Sequence, residues 1–138
     1  MYEKLLVALD QSEISKRVLK AAEDLARLAG SEVFVLHLRE REVLERLGLV
    51  ATEEEAEAED VVTEAVKALT AAGLRAHGEV RDTIYGRAAK EIIESAESHE
   101  ASLIIMGSRG LSDLKGLIIG STAHKVLHLS DHPVLIVR

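Results

Sequence analysis

Leu103-Ile-Ile-Met-Gly-Ser-Arg-Gly110, nine further residues, and then Gly120-Ser-Thr-Ala-His-Lys-Val-Leu-His-Leu129 form the stretch that decides how this chain is read. The opening run of branched apolar residues, closed by glycine, has the pattern of a buried strand. After Gly120, the residues Ala123, Val126 and Leu127 recur at helical spacing. The order is therefore strand, glycine loop, helix, with Ser121 or Thr122 near the helix start. Such an arrangement suits a phosphate. Glycines let the backbone approach an anion closely and adopt positive φ. The first N–H groups of a helix have no partner within it, and the helix dipole favours negative charge there. The spacing is not that of the Walker loop, which needs Gly, four intervening residues, and then Gly-Lys-Ser/Thr. Nor is it the dinucleotide fingerprint, which lies at the first strand-to-helix turn of its domain.

Working outward, Lys4 to Asp10 is a near-continuous apolar run ending on an acid. Runs of this kind belong to parallel sheets covered on both faces. Ser12 stands at the expected N-cap of a helix whose inner face is Ile14, Val18, Ala22, Leu25 and Ala29, closed by Gly30. Glu32 to Leu38 is a second buried strand. Arg39 to Ala51 is irregular and reads as a surface loop with a short helix at Val43 to Leu47, either a lid or a plain connection. Thr52 is the expected cap of a helix with Glu54 and Glu55 at its start and Val62, Ala65, Val66 and Leu69 inward; Gly73 ends it. Leu74 to Arg81 reads as a polar edge strand. Gly86 to His99 is a helix with Ala89, Ile92, Ile93 and Ala96 inward, and Pro133 to Arg138 is a terminal strand. Five strands alternating with four helices argue for a parallel α/β sheet with right-handed crossovers. In open sheets of this kind ligands bind beyond the carboxyl ends of the strands. Asp10, at the end of the first strand, can orient a ribose hydroxyl or a cation there, or can help cap the helix that follows.

Composition narrows the function classes. The 138 residues suit one compact domain spanning 1–138. The 47% hydrophobic content excludes disorder, and a net charge of −7 speaks against nucleic-acid binding. Aromatic residues make up only 2% of the chain, which disfavours base stacking on aromatic platforms. There is no cysteine, no apolar run near the ~20 residues of a membrane span, and no basic-then-apolar start, so the expected location is the cytoplasm.

The pattern Gly107-x2-Gly110-x9-Gly120-Ser121 resembles the nucleotide-binding loop of the universal stress protein family, in its ATP-binding branch. The resemblance covers nearly the whole chain. It implies an open five-stranded parallel sheet of order 3-2-1-4-5 with helices on both faces, a Rossmann-like fold of the adenine nucleotide alpha hydrolase kind. It implies a ligand, ATP or the related ADP or AMP, with Mg2+. Gly107, Ser108, Arg109, Gly110, Gly120, Ser121 and Thr122 would hold the phosphates. Asp10, with the backbone of Ala8 and Leu9, would contact the nucleoside, and Leu38 the edge of the adenine. Leu38 is equally readable as core, and Arg109 as a solvated charge. The resemblance further implies a homodimer formed through Pro133 to Arg138 and a regulatory role in the stress response, exercised through a protein partner that the sequence does not name. Two departures stand out: Gly86-Arg87-Ala88 lacks the usual proline of the turn before the third helix, and Ser102 replaces the aspartate that often opens the fourth strand.

Other chemistries find less support. No Gly-x-Ser-x-Gly elbow surrounds Ser108, Ser112 or Ser121. No positioned base for phosphoryl transfer is evident, so slow or partner-triggered ATP hydrolysis is the alternative rather than the leading reading. A nucleotide-free dimeric interaction module is a third. His124, His128 and His132 recur every four residues, but no carboxylate or cysteine signature joins them into a zinc site. Lys115, in the spacer, reads as a solvated charge. Phosphorylation at Asp10 would need an acidic cluster that is missing.

Overall fold

The computed structural model describes residues 1–44, 48–51, 54–110 and 119–138, without the side chains of 42–44 and 48–51. Strands β1 (Lys4–Leu9), β2 (Glu32–Leu44), β3 (Gly48–Ala51), β4 (Ala76–Ile84), β5 (Leu103–Gly107) and β6 (Val134–Val137) alternate with helices α1 (Ile14–Ala29), α2 (Glu55–Ala71), α3 (Ala88–Ser98) and α4 (Ser121–Leu129). Five strands pair in parallel in the order β4-β2-β1-β5-β6. Counting only these five in chain order, the arrangement is 3-2-1-4-5. Strand β3 adds an antiparallel pairing to the far end of β2, from Arg41 opposite Ala51 to Leu44 opposite Gly48.

Both faces of the sheet are buried, and alternation along the strands divides the core. Leu5, Val7, Val33, Val35, Leu103 and Ile105 pack under α1 and α2 against Val18, Ala22, Ala26, Ala65 and Leu69. Leu6, Leu36, Ile104 and Met106 pack under α3 and α4 against Ala89, Ile92, Ala96, Ala123 and Val126. Leu5 and Leu6 are adjacent and both fully buried, one on each face. Small residues on the helices let them lie close to the sheet. Gly78 in β4 shows how close: a Cβ there would stand 2.6 Å from Val62 Cγ1.

Four readings of the sequence are corrected. Arg39 to Ala51 is not a loop with a short helix, because β2 runs on to Leu44 and returns as β3. The charged run Arg39-Glu-Arg41 resembles solvated connection, but it lies beside β4 in register. Asp82 accepts from Arg41 Nη2, and Arg39 Nη1 lies 3.5 Å from its Oδ1 as an ion pair, so tertiary pairing overrides the local pattern. Residues 45–47, within the expected short helix, lie outside the described residues, as do Thr52, Ser112 and Lys115. Ser12 is not the cap of α1. Glu13 holds that place without a side-chain bond, while Ser12 donates to Asp10 instead. The third expected strand, Leu74 to Arg81, is shifted to Ala76–Ile84, and it is an edge strand. Leu127 is 46% exposed rather than inward, because α4 turns only Ala123 and Val126 into the core.

Candidate functional site

A cleft of about 310 Å3 opens at the carboxyl ends of β1, β2 and β5, where the direction of strand succession reverses. This is the place at which open α/β sheets bind ligands, and the volume lies at the small end of ligand pockets. Its inner part is apolar, formed by Ala8, Leu36, Leu38, Met106, Ala88 and Ile92. Its outer part is Asp10, Gln11 and Ser15 on one side and Gly107, Ser108, Arg109, Gly110 and Thr122 on the other. Glu40, Tyr85 and the buried His37 complete the wall.

The loop after β5 is held at both ends by backbone. Ser108 donates its N–H to Val137 C=O at 2.8 Å, which continues the pairing of β5 with β6. Ser108 C=O accepts from Gly120 N–H, so the strand end and the start of α4 are tied together across the spacer. Gly120 has φ −78° and ψ 169°, ordinary extended backbone, and Gly107 also lies outside the left-handed region. Gly107 serves close approach rather than positive φ. A Cβ at Gly107 would stand 3.0 Å from Ile14 Cγ2 and 3.4 Å from Arg109 O, so α1 packs directly on the loop.

Helix α4 begins without a side-chain cap and with no acid in its first turn. By contrast, α2 carries Glu55 and Glu57 there, and α3 carries Glu91. The positive end of the α4 dipole and its first N–H groups are thus left without a carboxylate of the helix's own, beside the cleft. Asp10 faces the same space from β1. Its Oδ1 accepts from Ser12 N–H at 2.7 Å, from Ser12 Oγ, and from Ser15 Oγ at 2.9 Å, while its own N–H donates to Ser15 Oγ at 2.9 Å. The turn before α1 is therefore organised around this carboxylate, which caps no N–H of the helix itself, and the same residue lines the cleft.

Of the residues expected from sequence, Ala8, Leu9, Asp10, Leu38, Gly107, Ser108, Arg109, Gly110 and Thr122 all line the cleft. Leu38 also packs against the core beneath α3, as its core reading expects. Gly120 and Ser121 do not line it: Gly120 is buried at the helix start and Ser121 is exposed. Sequence reasoning missed Tyr85, Glu40, Ala88, Ile92 and Met106, which reach the cleft only through the crossing of separate elements. The His124 and His128 rings are nearly parallel with centroids 6.2 Å apart, His132 lies beyond the helix end beside Ser130, and no group of three or more metal-binding side chains occurs among the described residues.

A divalent ion fits this site in one form. Mg2+ is commonly held by one or two carboxylates together with substrate phosphates. Asp10 supplies such a carboxylate beside the loop, so an ion arriving with a phosphate chain would find a protein ligand there.

The sequence model of the Universal stress protein family matches residues 1–138. Universal stress protein YxiE of Bacillus subtilis is 40% identical over 148 residues, covering 100% of both chains. The solved structure of the Methanocaldococcus jannaschii protein MJ0577 superposes with a TM-score of 0.81 at 28% identity, over 99% of this chain and 96% of that one. A universal stress protein from Archaeoglobus fulgidus, solved in complex with dAMP, superposes with a TM-score of 0.75 at 25% identity, over 99% and 98%.

Proposed function

The chain belongs to the universal stress protein family, and from this we propose that it binds ATP, or a related adenine nucleotide, together with Mg2+, and acts as a regulatory switch in stress response. One observation carries the reading. An apolar recess and an uncapped helix N-terminus face one cleft, joined by the loop Gly107 to Gly110. A planar base suits the recess, and the loop from Gly107 to Gly110, with Thr122 at the start of α4, suits the phosphates. Asp10, with the backbone of Ala8 and Leu9, would meet the ribose or the ion, and Leu38 the base edge. When bound, Mg2+ would neutralise phosphate charge and fix its geometry. The capture of an adenine nucleotide by the Archaeoglobus relative supports the ligand class.

Binding is favoured over turnover. The cleft offers Asp10, Glu40 and His37 as titratable walls, but Asp10 Oδ1 is occupied by three donors and His37 Nδ1 lies 2.8 Å from Leu9 O. Neither arrangement presents a base poised over a phosphate. Occupancy would instead alter the surface between the loop and the end of β2, which a protein partner would read. A second copy would pair along β6, an apolar edge strand whose Leu135 is 39% exposed. Equilibrium dialysis against ATP with and without Mg2+, after removal of co-purified nucleotide, tests the ligand. Saturable, Mg2+-dependent retention with ATP recovered intact is the expected result. Absence of retention up to millimolar ATP overturns the reading, and phosphate release abolished by a loop variant would replace it with hydrolysis. Light scattering at micromolar concentration should give the mass of two chains.

A further inference from the structure

Among the described residues, the chain has three aromatic residues besides its histidines, and one of them stands in the cleft wall. Tyr85 is 56% exposed while lining the cleft, an unusual placement for a large ring in a chain so poor in them. Its backbone is fixed from both sides. Tyr85 N–H donates to Arg41 C=O at 2.9 Å, extending the β2–β4 pairing one residue past Ile84. Gly86 then adopts φ +93°, a conformation that a side chain would strain, and turns the chain into α3, whose first residue Ala88 also lines the recess. Residues two apart on a strand share a face, so Tyr85 projects on the face of Thr83. That residue is in register with Glu40, and Glu40 shares its face with Leu38.

Tyr85 and the phosphate loop stand at opposite ends of the cleft. From β5, past β1 and β2, to β4 is three strand spacings, roughly 14 Å at ~4.8 Å each. That is about the reach from a purine ring to the terminal phosphate of an extended nucleotide. A ring held on a pinned backbone loses little freedom when a flat ligand stacks on it. We infer that Tyr85 is the stacking platform for the base, covering the ring whose edge meets Leu38. This rests on the nucleotide reading above and deepens it. Every base offers a π-face, so the platform selects for a planar ring rather than for the identity of the base. It also modifies the expectation from composition: scarce aromatics do not exclude stacking when one of them is placed at the cleft.

The test compares Mg·ATP, adenosine and Mg·tripolyphosphate as probes of the full chain and of Tyr85→Ala and Tyr85→Phe. The exposed position makes both variants compatible with folding. The expected result is a loss on the order of 5- to 100-fold for ATP and adenosine in Tyr85→Ala, with Tyr85→Phe close to the parent and tripolyphosphate unchanged throughout. Equal affinity of Tyr85→Ala and parent for ATP and adenosine overturns the platform while leaving nucleotide binding standing. A matching loss for tripolyphosphate also overturns it, because the ring would then be supporting the phosphate end. Failure of the parent chain itself to bind ATP is a different outcome and removes the reading beneath.

Discussion

At the carboxyl ends of the strands, a groove of about 310 Å3 is lined by glycine backbone, a helix start without a carboxylate, and an apolar recess. At the amino ends, a groove of equal volume, about 310 Å3, is lined by Lys4, Glu32, Phe34, His77, Ser98, His99 and Glu100. What separates them is the chemistry of their linings. In the second groove Lys4 Nζ lies 3.5 Å from Glu100 Oε2, and His77 Nε2 lies 3.1 Å from Glu32 Oε1. The His99 ring stacks on Phe34 with centroids 3.6 Å apart, and its Nδ1 lies 2.9 Å from Ser95 O. Its polar groups answer one another. At the carboxyl end, α4 begins without a side-chain cap or an acid in its first turn. The lesson is that a parallel sheet has a chemical direction: helix N-termini gather at one end, and a ligand can finish there what the fold leaves incomplete.

The largest expected effect comes from filling that incomplete end with the protein's own charge. Thr122→Glu puts a carboxylate in the first turn of α4, where the helix dipole welcomes it and the fold should hold. Like charge against phosphate should then weaken ATP binding by on the order of 100-fold, read by calorimetry. Next is Asp10→Asn, which keeps the Oδ1 acceptor for Ser12 and Ser15 and removes the charge. The Mg2+ enhancement of binding should fall about 10-fold, in line with the loss of a charge-assisted contact, while thermal unfolding stays near that of the parent. Gly78→Ala acts on the fold alone. Its Cβ would meet Val62 Cγ1 at 2.6 Å and Val35 O at 3.0 Å, and overpacking of this kind costs ~1–3 kcal/mol. Denaturant unfolding should show that loss with nucleotide affinity at the folded plateau unchanged. The smallest effect belongs to the amino-end groove: His77→Ala removes an exposed pair worth about 0–1 kcal/mol and should leave ATP affinity unaltered. If His77→Ala weakened ATP as Thr122→Glu does, the contrast between the two ends would be wrong.

The reach of the sequence in this protein has a physical boundary. Strand β1, strand β5 and the loop after it were legible because buried parallel strands are continuous apolar runs and because glycine marks their ends. The polar composition of β4 correctly marked it as an edge. The extension of β2 was not legible, since Arg39-Glu-Arg41 owes its strand conformation to Asp82, 41 positions from Arg41. Ser12 looked like a cap because caps and Asx-type turns use the same residues; Asp10 takes its hydroxyl first. In the cleft, the local motif located one wall, formed by Gly107 to Gly110 and Thr122. The recess side, with Tyr85, Ala88, Ile92 and Met106, is assembled from β4, α3 and β5 and carries no motif of its own.

The most direct test of the account is to locate the nucleotide along the sheet. An amide nitrogen–proton NMR titration of the labelled chain with Mg·ATP reads both ends in one experiment. The account predicts saturable shifts at Asp10, Gly107, Gly110 and Thr122, with Phe34, His99 and Glu100 unmoved. Shifts concentrated at Phe34, His99 and Glu100, or none at millimolar ATP, would contradict it.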